Sequence, residues 1–325
     1  MSVNWGILST AHINRLFLAG VRESRDVNIL AVASRDQPRA DAYASENGIE
    51  RAYGSYEALL ADPDVEAVYI SLPNSLHIPW TITALEAGKH VLCEKPLSRH
   101  ADEVERAFDV AEKQERRLME AFMYRHNPQT RRLKELVTER AVGHIRIIRA
   151  AFGFVAHDPE NVRLSAALDG GALMDVGCYC VSGARLIAGE PEHVAGEQAI
   201  GGDGVDVAFA GLMRFEHDIT AHFDAGLALL TQDLLEVVGD AGTIRLTDPW
   251  HCRRPGIDVI RDQGVERIEV EPANSYRLEA ENMSVAIRGE APLLLGRAVA
   301  VNQARTIQAL YEAADSGTTV TLAHD

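Results

Sequence analysis

The chain has 325 residues, 46% of them hydrophobic, and its 48 acidic residues outnumber its 32 lysines and arginines, for a formal net charge of −16. This composition is typical of a globular enzyme with a sizeable core, and it disfavours nucleic acid as a partner, because phosphate binding needs a basic surface. The absence of a recognisable leader, and of any apolar run near the ~20 residues that a bilayer span needs, leads us to expect a cytoplasmic protein with no membrane partner.

The first 120 residues alternate short apolar strands with amphipathic helical segments. Strand-like runs begin at Val3, Val27, Val65, Lys89 and Arg116. Strands that are buried on both faces and separated by helices are typical of a doubly wound parallel sheet. We therefore predict an α/β domain over residues 1–121.

The pattern changes after about Tyr124. A helical run at 128–139 is followed by long strand-like runs with few helices between them, at 145–155, 205–215, 219–226 and 233–246. Helical patterns return at 276–288 and 296–315. Because consecutive strands joined by turns favour an antiparallel sheet, we predict an α+β domain over residues 122–325, with its last helix as a candidate to pack back on the first domain.

Four cysteines are present, at Cys93, Cys178, Cys180 and Cys252. Their spacing provides neither the two close pairs of a structural zinc site nor a dense disulfide framework. We expect free thiols and no metal.

The turn after the first strand, GILSTAHIN at 6–14, occupies the place of a glycine-rich dinucleotide-binding turn. The three glycine positions hold Ser9, Ala11 and Asn14, so the motif is not intact. The small side chains still allow a pyrophosphate to approach the backbone at a helix N-terminus. The candidate cofactor residues here are Ser9, Thr10, Ala11, His12 and Ile13, and an ordinary strand-to-helix turn is the alternative.

The second strand ends in basic rather than acidic residues. Ser34 and Arg35 stand about where an NAD site places Asp or Glu, and Arg39 follows one turn later. A guanidinium at this place favours the 2′-phosphate of NADP. We therefore predict NADP as cofactor, with NAD possible, and solvated arginines at a helix start as the alternative.

The predicted strands that begin at Val65 and Lys89 end in further polar groups. SLPNSLHIP provides Leu72, Pro73, Asn74 and His77, and VLCEKPLS provides Glu94 and Lys95. Ligands of open α/β sheets bind at the carboxyl ends of strands, so these residues are candidates for the nicotinamide side of the site. A structural histidine and an exposed turn with a weak ion pair are the alternatives.

Several motifs together resemble the Gfo/Idh/MocA oxidoreductase family. These are the small-residue turn, LPNSLH, CEKPLS, AFMYRHNPQ at 121–129 and GGALMDVGCYCVSGARLIAGEPE at 170–192. The resemblance implies a Rossmann dinucleotide-binding domain followed by a substrate and oligomerisation domain. Asp175, Gly177 and Tyr179 match a family motif that ends in His or Tyr. The tyrosine is similar to the branch with glucose–fructose oxidoreductase, NADP-dependent xylose dehydrogenases and dimeric dihydrodiol dehydrogenases.

The resemblance also implies catalytic roles. Lys95 takes the place of the lysine beside the nicotinamide and substrate, where its ammonium can stabilise a developing alkoxide. Tyr179 is a candidate proton relay, and Asp175, four residues earlier on the same helical face, is a candidate to fix a substrate hydroxyl. Packing of Tyr179 in a helix interface is the alternative.

Further residues of the second domain are candidates for the substrate pocket. Aromatic rings beside hydrogen-bonding groups suit a sugar, although aromatic residues in sheets also serve as core. The candidates are Tyr124, Arg125, Phe152, Phe154, His157 and Arg163, with Asp175 and Tyr179.

Together these inferences predict an NADP-dependent oxidoreductase that acts on a sugar, polyol or cyclic diol, with aldose 1-dehydrogenase activity favoured. The reverse carbonyl reduction, a non-catalytic NADP-binding regulator, and transient oxidation during glycoside cleavage remain as alternatives. The resemblance implies a homodimer or homotetramer that assembles through the strands at 205–246.

Overall fold

The computed structural model describes residues 1–323 and forms two compact units. Unit 1 contains residues 1–123 and 276–301, and unit 2 contains residues 124–275 and the chain from residue 302 onward. The predicted domains differ from these units mainly in the segment 276–301, which belongs to unit 1. One contact that holds this segment in unit 1 is a hydrogen bond in which the indole Nε1 of Trp5 donates to the buried hydroxyl of Ser284 at 3.2 Å.

Unit 1 contains a six-stranded parallel sheet in the order β3-β2-β1-β4-β5-β6. Its strands are β1 Val3–Leu8, β2 Val27–Ala33, β3 Arg51–Tyr53, β4 Ala67–Ile70, β5 His90–Glu94 and β6 Leu118–Ala121. Its helices are α1 Asn14–Val21, α2 Gln37–Asn47, α3 Tyr56–Leu60, α4 His77–Glu86 and α5 Ala101–Lys113, with α8 Ser275–Ile287 added from the later segment. This confirms the doubly wound α/β fold.

The strand order places two loops side by side at the carboxyl edge of this sheet. The chain runs from β1 outward to β2 and β3, and then returns to β4 on the other side of β1. The loops after β1 and β4 therefore flank the topological switch point, where open α/β sheets bind their ligands. Asp36 caps α2 by accepting from the N–H of Arg39 at 2.9 Å, so the basic residues after β2 begin a helix at the same edge.

Unit 2 contains a nine-stranded sheet in the order β14-β13-β12-β11-β7-β10-β9-β8-β15. Its strands are β7 Ile145–Val155, β8 His193–Ile200, β9 Asp206–Arg214, β10 Thr220–Gly226, β11 Ala228–Gly239, β12 Thr243–Thr247, β13 Gly256–Arg261, β14 Gly264–Glu269 and β15 Val320–Thr321. Its helices are α6 Pro128–Thr138, α7 Cys178–Ala188 and most of α9 Arg297–Ser316, which begins in unit 1. All pairs are antiparallel except β7 with β10, which confirms the mostly antiparallel sheet.

Across residues 1–323, no helix combines the length and apolarity needed to cross a bilayer. The expected cytoplasmic location stays a prediction. All four cysteines are buried as free thiols.

Candidate active site

The turn after β1 is held by a buried polar network. Ser9 has a φ of 134°, a conformation that favours glycine, and its side chain lies in the place of the first motif glycine. Its hydroxyl accepts from the N–H of Ala11 at 3.1 Å and lies 2.8 Å from the hydroxyl of Ser71, which donates to Asn14. The amide of Asn14 donates to the carbonyl of Ser9 at 3.0 Å. Side-chain hydrogen bonds thus stabilise, at a serine, a positive-φ backbone conformation that glycine usually adopts.

Two arginines lie beside this turn. Arg39 donates from Nε to the hydroxyl of Thr10 at 2.7 Å, and both Arg39 and Arg35 are exposed. Burial raises the pKa of Tyr56, and the charges of Arg35 and Arg39 oppose that rise. Small residues at the turn and two exposed cations next to it fit the pyrophosphate and 2′-phosphate of NADP. Ser34, the other candidate after β2, is buried.

The turns after β4 and β5 are joined by His77, which is only 1% exposed. Its Nδ1 lies 2.8 Å from the carbonyl of Pro96 and its Nε2 lies 2.8 Å from the carbonyl of Leu72. Burial lowers the pKa of His77 most strongly and the charge of Lys95 lowers it further, whereas the contacts with the carbonyl oxygens of Pro96 and Leu72 raise it. The ring is thus engaged by two backbone turns, while Leu72, Pro73 and Asn74 are partly exposed at the sheet edge.

Glu94 is the last residue of β5 and Lys95 follows it, and the Lys95–Pro96 peptide bond is cis. The hydroxyl of Tyr69 donates to one carboxylate oxygen of Glu94, and the ring of Tyr69 stacks on Phe17 with centroids 4.0 Å apart. Tyr69 has no exposed surface, and burial raises its pKa, with Glu94 adding to the effect. A rigid, buried phenol therefore fixes Glu94, next to the lysine.

A second carboxyl group, that of Glu279 on α8, is fully buried in the same unit. Among the described residues, neither of its carboxyl oxygens has a hydrogen-bond partner. Burial raises the pKa of Glu279 well above its ordinary value, and the negative charge of Glu94 raises it further. We infer that Glu279 stays protonated at neutral pH.

We expect Glu279→Gln to become more stable than the wild type as the pH rises. The unfolded chain releases this proton near pH 4.5, whereas the folded protein keeps it to higher pH. Rising pH above 4.5 therefore stabilises the unfolded wild type relative to the folded state, by up to about 1.4 kcal/mol per pH unit, and glutamine lacks this dependence. Urea unfolding of both proteins at pH 5 and pH 7.5 measures the difference.

Glu23→Gln is the matched control, because Glu23 is exposed in the same unit. Its stability relative to the wild type is expected to change little between the two pH values. A Glu279→Gln difference that is equal at both pH values would contradict a retained proton.

In unit 2, Asp175 lies in a π-helical turn, Leu173–Gly177, directly before α7. Such turns are rare and are frequent at functional sites. Arg163 donates from Nε to the carboxylate of Asp175 at 2.7 Å, and its guanidinium lies 5.8 Å from the centroid of the Phe154 ring. The structure thus brings together three of the predicted residues, Phe154, Arg163 and Asp175.

Four rings form what we call the aromatic cluster: Tyr124, Phe152, Tyr179 and Trp250. The ring of Tyr179 meets those of Phe152, Tyr124 and Trp250 at centroid distances of 5.3, 5.7 and 6.0 Å. Tyr124 donates to the hydroxyl of Ser182 at 2.8 Å, and burial raises its pKa to about 12, so it stays protonated at neutral pH. Tyr179 is the second residue of α7 and is 8% exposed, so close ring packing sets its position.

Two predicted residues lie outside these groups, and others were not predicted. Arg125 donates to the hydroxyl of Ser182 at 3.3 Å, whereas His157 is exposed beyond the end of β7. The sequence reasoning missed Trp250, although a tryptophan in a turn directly after a strand is a usable signal. It also missed Ser71 and Tyr69, which resemble ordinary strand residues in the sequence.

These features define a class: a dinucleotide-binding α/β unit with polar and basic groups at its ligand-binding edge, combined with an α+β unit that presents a phenol among aromatic rings. Comparison with known families identifies it further. Residues 3–122 match the oxidoreductase family with an NAD-binding Rossmann fold, and residues 130–245 match the GFO/IDH/MocA C-terminal domain. The chain belongs to the Gfo/Idh/MocA oxidoreductase family and is an oxidoreductase, as the motifs predicted.

Named relatives include dehydrogenases of sugars and of a cyclic diol, the latter represented by the trans-1,2-dihydrobenzene-1,2-diol dehydrogenase of Mus musculus, which is 34% identical over 77% of this chain and 76% of its own length. The NADP(+)-dependent D-xylose 1-dehydrogenase 2 of Haloferax volcanii is 38% identical over 98% of this chain and 99% of its own length. The aldose–aldose oxidoreductase of Caulobacter crescentus superimposes with a TM-score of 0.92 at 27% identity, over 99% and 100% of the two chains. A 3-ketoreductase of Actinomadura kijaniata, solved with NADP and TDP-benzene, has a TM-score of 0.91 at 28% identity, over 96% and 98%.

Proposed function

We propose that the protein is an NADP-dependent oxidoreductase that transfers hydride between nicotinamide and a sugar or a related polyol or cyclic diol, with aldose 1-dehydrogenase activity favoured. The observation that carries this proposal is the surrounding of Tyr179: a phenol packed among rings, in a helix that follows the turn bearing Asp175. Aromatic faces beside a few polar groups suit the apolar face and hydroxyls of a sugar. The 38% identity to a xylose dehydrogenase supports the same substrate class.

We assign the cofactor to the carboxyl edge of the unit 1 sheet. The turn residues Ser9 to Ile13 bind the pyrophosphate, and Arg35 and Arg39 bind the 2′-phosphate. Leu72, Pro73, Asn74 and Glu94 line the nicotinamide side, and His77 holds the two turns that carry them. When bound, NADP supplies the hydride acceptor of the oxidation.

Two side chains carry the proton and charge chemistry in this proposal. The ammonium of Lys95 stabilises negative charge on the reacting oxygen, and the phenol of Tyr179 accepts its proton during oxidation. Arg163 orients Asp175. The Asp175 carboxylate then accepts a hydrogen bond from a substrate hydroxyl next to the reacting one. In support, the Actinomadura ketoreductase was also solved with a lysine and a tyrosine replaced, and those two residues are as far apart in sequence as Lys95 and Tyr179.

Carbonyl reduction is the second candidate, because one structural relative is a 3-ketoreductase. The residue roles are then reversed, with Tyr179 donating the proton. A non-catalytic regulator would bind cofactor without any turnover.

For assembly we propose a homodimer or homotetramer through the unit 2 sheet, where Leu212 on β9 and Leu230 on β11 are 47% and 85% exposed.

Initial rates of cofactor reduction test the function directly. NADP and NAD are each offered with aldoses, inositols and cyclic diols, and NADPH is offered with keto-sugars for the reverse reaction. We expect the highest kcat/KM with NADP and an aldose. Tight NADPH binding without turnover in either direction would refute the enzymatic proposal in favour of a regulator.

We expect Arg35→Ala to weaken NADP binding by about 10- to 100-fold while NAD binding changes by less than about threefold. A hydrogen-bonded charge pair between arginine and phosphate contributes strongly to the binding free energy of NADP. NAD has no 2′-phosphate, so its binding does not depend on this pair. Fluorescence titration with NADPH and NADH gives both dissociation constants, and Arg22→Ala, an exposed arginine after α1, is the control. Equal losses for the two cofactors would refute the phosphate contact.

A further inference from the structure

A buried chain of polar side chains joins α7 to the unit 2 part of α9, and the proposed mechanism does not use it. Gln303 on α9 is 1% exposed, and its Nε2 donates to the carbonyl oxygen of Cys178 at 2.8 Å. Its Oε1 accepts from the guanidinium of Arg185 at 2.7 Å. Arg185 also donates from Nε and Nη2 to the two carboxylate oxygens of Glu190, each at 2.7 Å. We call Gln303, Arg185 and Glu190 the Gln303 network.

The Gln303 network defines the orientation of the Gln303 amide. A guanidinium can only donate, so the amide oxygen must face Arg185, and the amide nitrogen then faces the carbonyl of Cys178. Arg185 is itself buried, and Glu190 provides the opposite charge that a buried guanidinium requires. Cys178 and Arg185 are seven positions apart on α7 and therefore share one face of that helix. Gln303 is thus held from both ends as a donor to Cys178.

The carbonyl that Gln303 contacts belongs to the peptide group that joins Cys178 to Tyr179. This group is planar, so fixing its oxygen fixes the direction in which the backbone of Tyr179 begins. Cys178 also closes the π-helical turn, because its N–H donates to the carbonyl of Leu173, five residues earlier. Cys178 is therefore the junction between the turn that carries Asp175 and the helix that carries Tyr179.

The start of the same π-helical turn is held separately. Asp206 on β9 is 2% exposed, and its carboxylate accepts from the N–H of Leu173 at 2.7 Å. Side chains from two different elements thus hold the first and the last residue of the junction. Because π-helical turns are rare and are frequent at functional sites, such dedicated contacts indicate that the shape of this turn matters to the site.

We propose that Gln303 is a positioning residue for Tyr179: by holding the Cys178 carbonyl it places the phenol hydroxyl for proton transfer, and Arg185 and Glu190 keep its amide in the donating orientation. The inference rests on the proposed function, because it concerns the proton relay assigned there to Tyr179. A displacement of about 1 Å at a reacting group, caused by a distant substitution, can lower a rate by about 100-fold. Gln303 can therefore affect turnover without contacting substrate or cofactor.

The most informative substitution is Gln303→Glu, because glutamate has the same length and still accepts from Arg185. Its carboxylate cannot donate to the Cys178 carbonyl. Gln303→Met removes both contacts without placing a new charge in the interior. Gln263→Glu is the matched control, since it makes the same change at an exposed position in the turn between β13 and β14 of the same unit. Thermal unfolding of each intact protein verifies folding.

We expect Gln303→Glu and Gln303→Met to lower single-turnover rates with NADP and an aldose by about 10- to 100-fold. The KM for the sugar and the NADPH dissociation constant are expected to change by less than about threefold, because the contact acts on proton transfer rather than on binding. In a Tyr179→Phe background, Gln303→Glu is expected to cost less than about threefold, since the hydroxyl that it positions is already absent. Gln263→Glu is expected to match the wild type.

A spectroscopic measurement tests the same inference without any turnover. The protein is labelled with 3-fluorotyrosine, and the fluorine resonance that is missing in Tyr179→Phe is that of Tyr179. The rings of Phe152 and Trp250 lie close to the Tyr179 ring, so its resonance is sensitive to small displacements. We expect Gln303→Glu and Gln303→Met to shift this resonance and Gln263→Glu to leave it unchanged.

Two outcomes overturn the inference. Equal fold-losses of rate for Gln303→Glu with and without the Tyr179 hydroxyl would assign Gln303 a general structural role. Folded Gln303 variants with an unchanged Tyr179 resonance would show that the contact does not position this ring. Full activity in Tyr179→Phe alone, by contrast, refutes the proton relay of the proposed function, and the fluorine resonance then decides separately whether Gln303 positions Tyr179.

Discussion

Replacement of Lys95 by alanine is expected to reduce kcat by at least about 10²- to 10³-fold while the NADPH dissociation constant changes by less than about threefold. Removal of one preorganised group that stabilises an oxyanion costs this much in other enzymes. The ammonium acts on charge that develops only in the transition state, so its loss affects kcat more than ground-state binding. Single-turnover measurement of NADPH formation at saturating sugar gives the chemical step.

Two further variants make this result specific to Lys95. Lys113→Ala removes an exposed lysine at the end of α5 in the same unit and is expected to retain wild-type rates. Lys95→Arg keeps the charge on a planar group of different shape and is expected to recover only a small part of the activity. Retention of a third or more of the wild-type kcat in Lys95→Ala would show that another group stabilises the reacting oxygen.

The second large effect is expected for Tyr179→Phe, which should lower kcat by about 10²- to 10⁴-fold. Phenylalanine keeps the ring contacts with Phe152, Tyr124 and Trp250 and removes only the hydroxyl. A positioned acid or base contributes roughly this factor. The variant is therefore expected to unfold at the wild-type temperature and to bind NADPH normally while turnover is lost.

A pH profile distinguishes proton transfer from a structural role. If Tyr179 accepts the proton, the wild-type kcat rises with pH on one limb, and the residual activity of Tyr179→Phe lacks that limb. Tyr311→Phe is the control for a structural hydroxyl, because the Tyr311 hydroxyl donates to Asp206 at 2.9 Å. It is expected to lower thermal stability and leave the pH profile intact. A Tyr179→Phe profile parallel to the wild type would refute the proton relay.

Local patterns predicted much of the framework. Alternating apolar strands and amphipathic helices indicated the parallel sheet of unit 1, and β7 has the predicted limits, 145–155. Asp36 and Gly48 cap the two ends of α2, as predicted. These caps could be predicted because the carboxylate and the left-handed glycine act on backbone groups only a few residues away. The short strands β3 and β15 were not predicted, since two or three residues form a strand only when a partner strand is present.

The candidate site divides in the same way. Lys95, Asp175 and Tyr179 were identified because each belongs to a contiguous motif, and Arg35 because it follows directly after a predicted strand. Ser71 was not, although it binds Ser9 from 62 positions away. Asp233, Trp250 and His251 were likewise missed, because they reach Phe152 only through the register of β11 on β7 and the turn after β12.

The sequence alone therefore determined the type of most elements, the family and the motif residues, because these depend on interactions or identities within a few positions along the chain. The tertiary structure decided which distant side chains meet. Examples are the serine and asparagine network that holds the Ser9 turn, the burial of Glu279 in the same unit as Glu94, and the approach of Asp233, Asp248 and His251 to one another beside the aromatic cluster. Such contacts depend on sheet order and strand register. A shift of β11 by one residue relative to β7 would turn Asp233 to the sheet face opposite to that of Phe152.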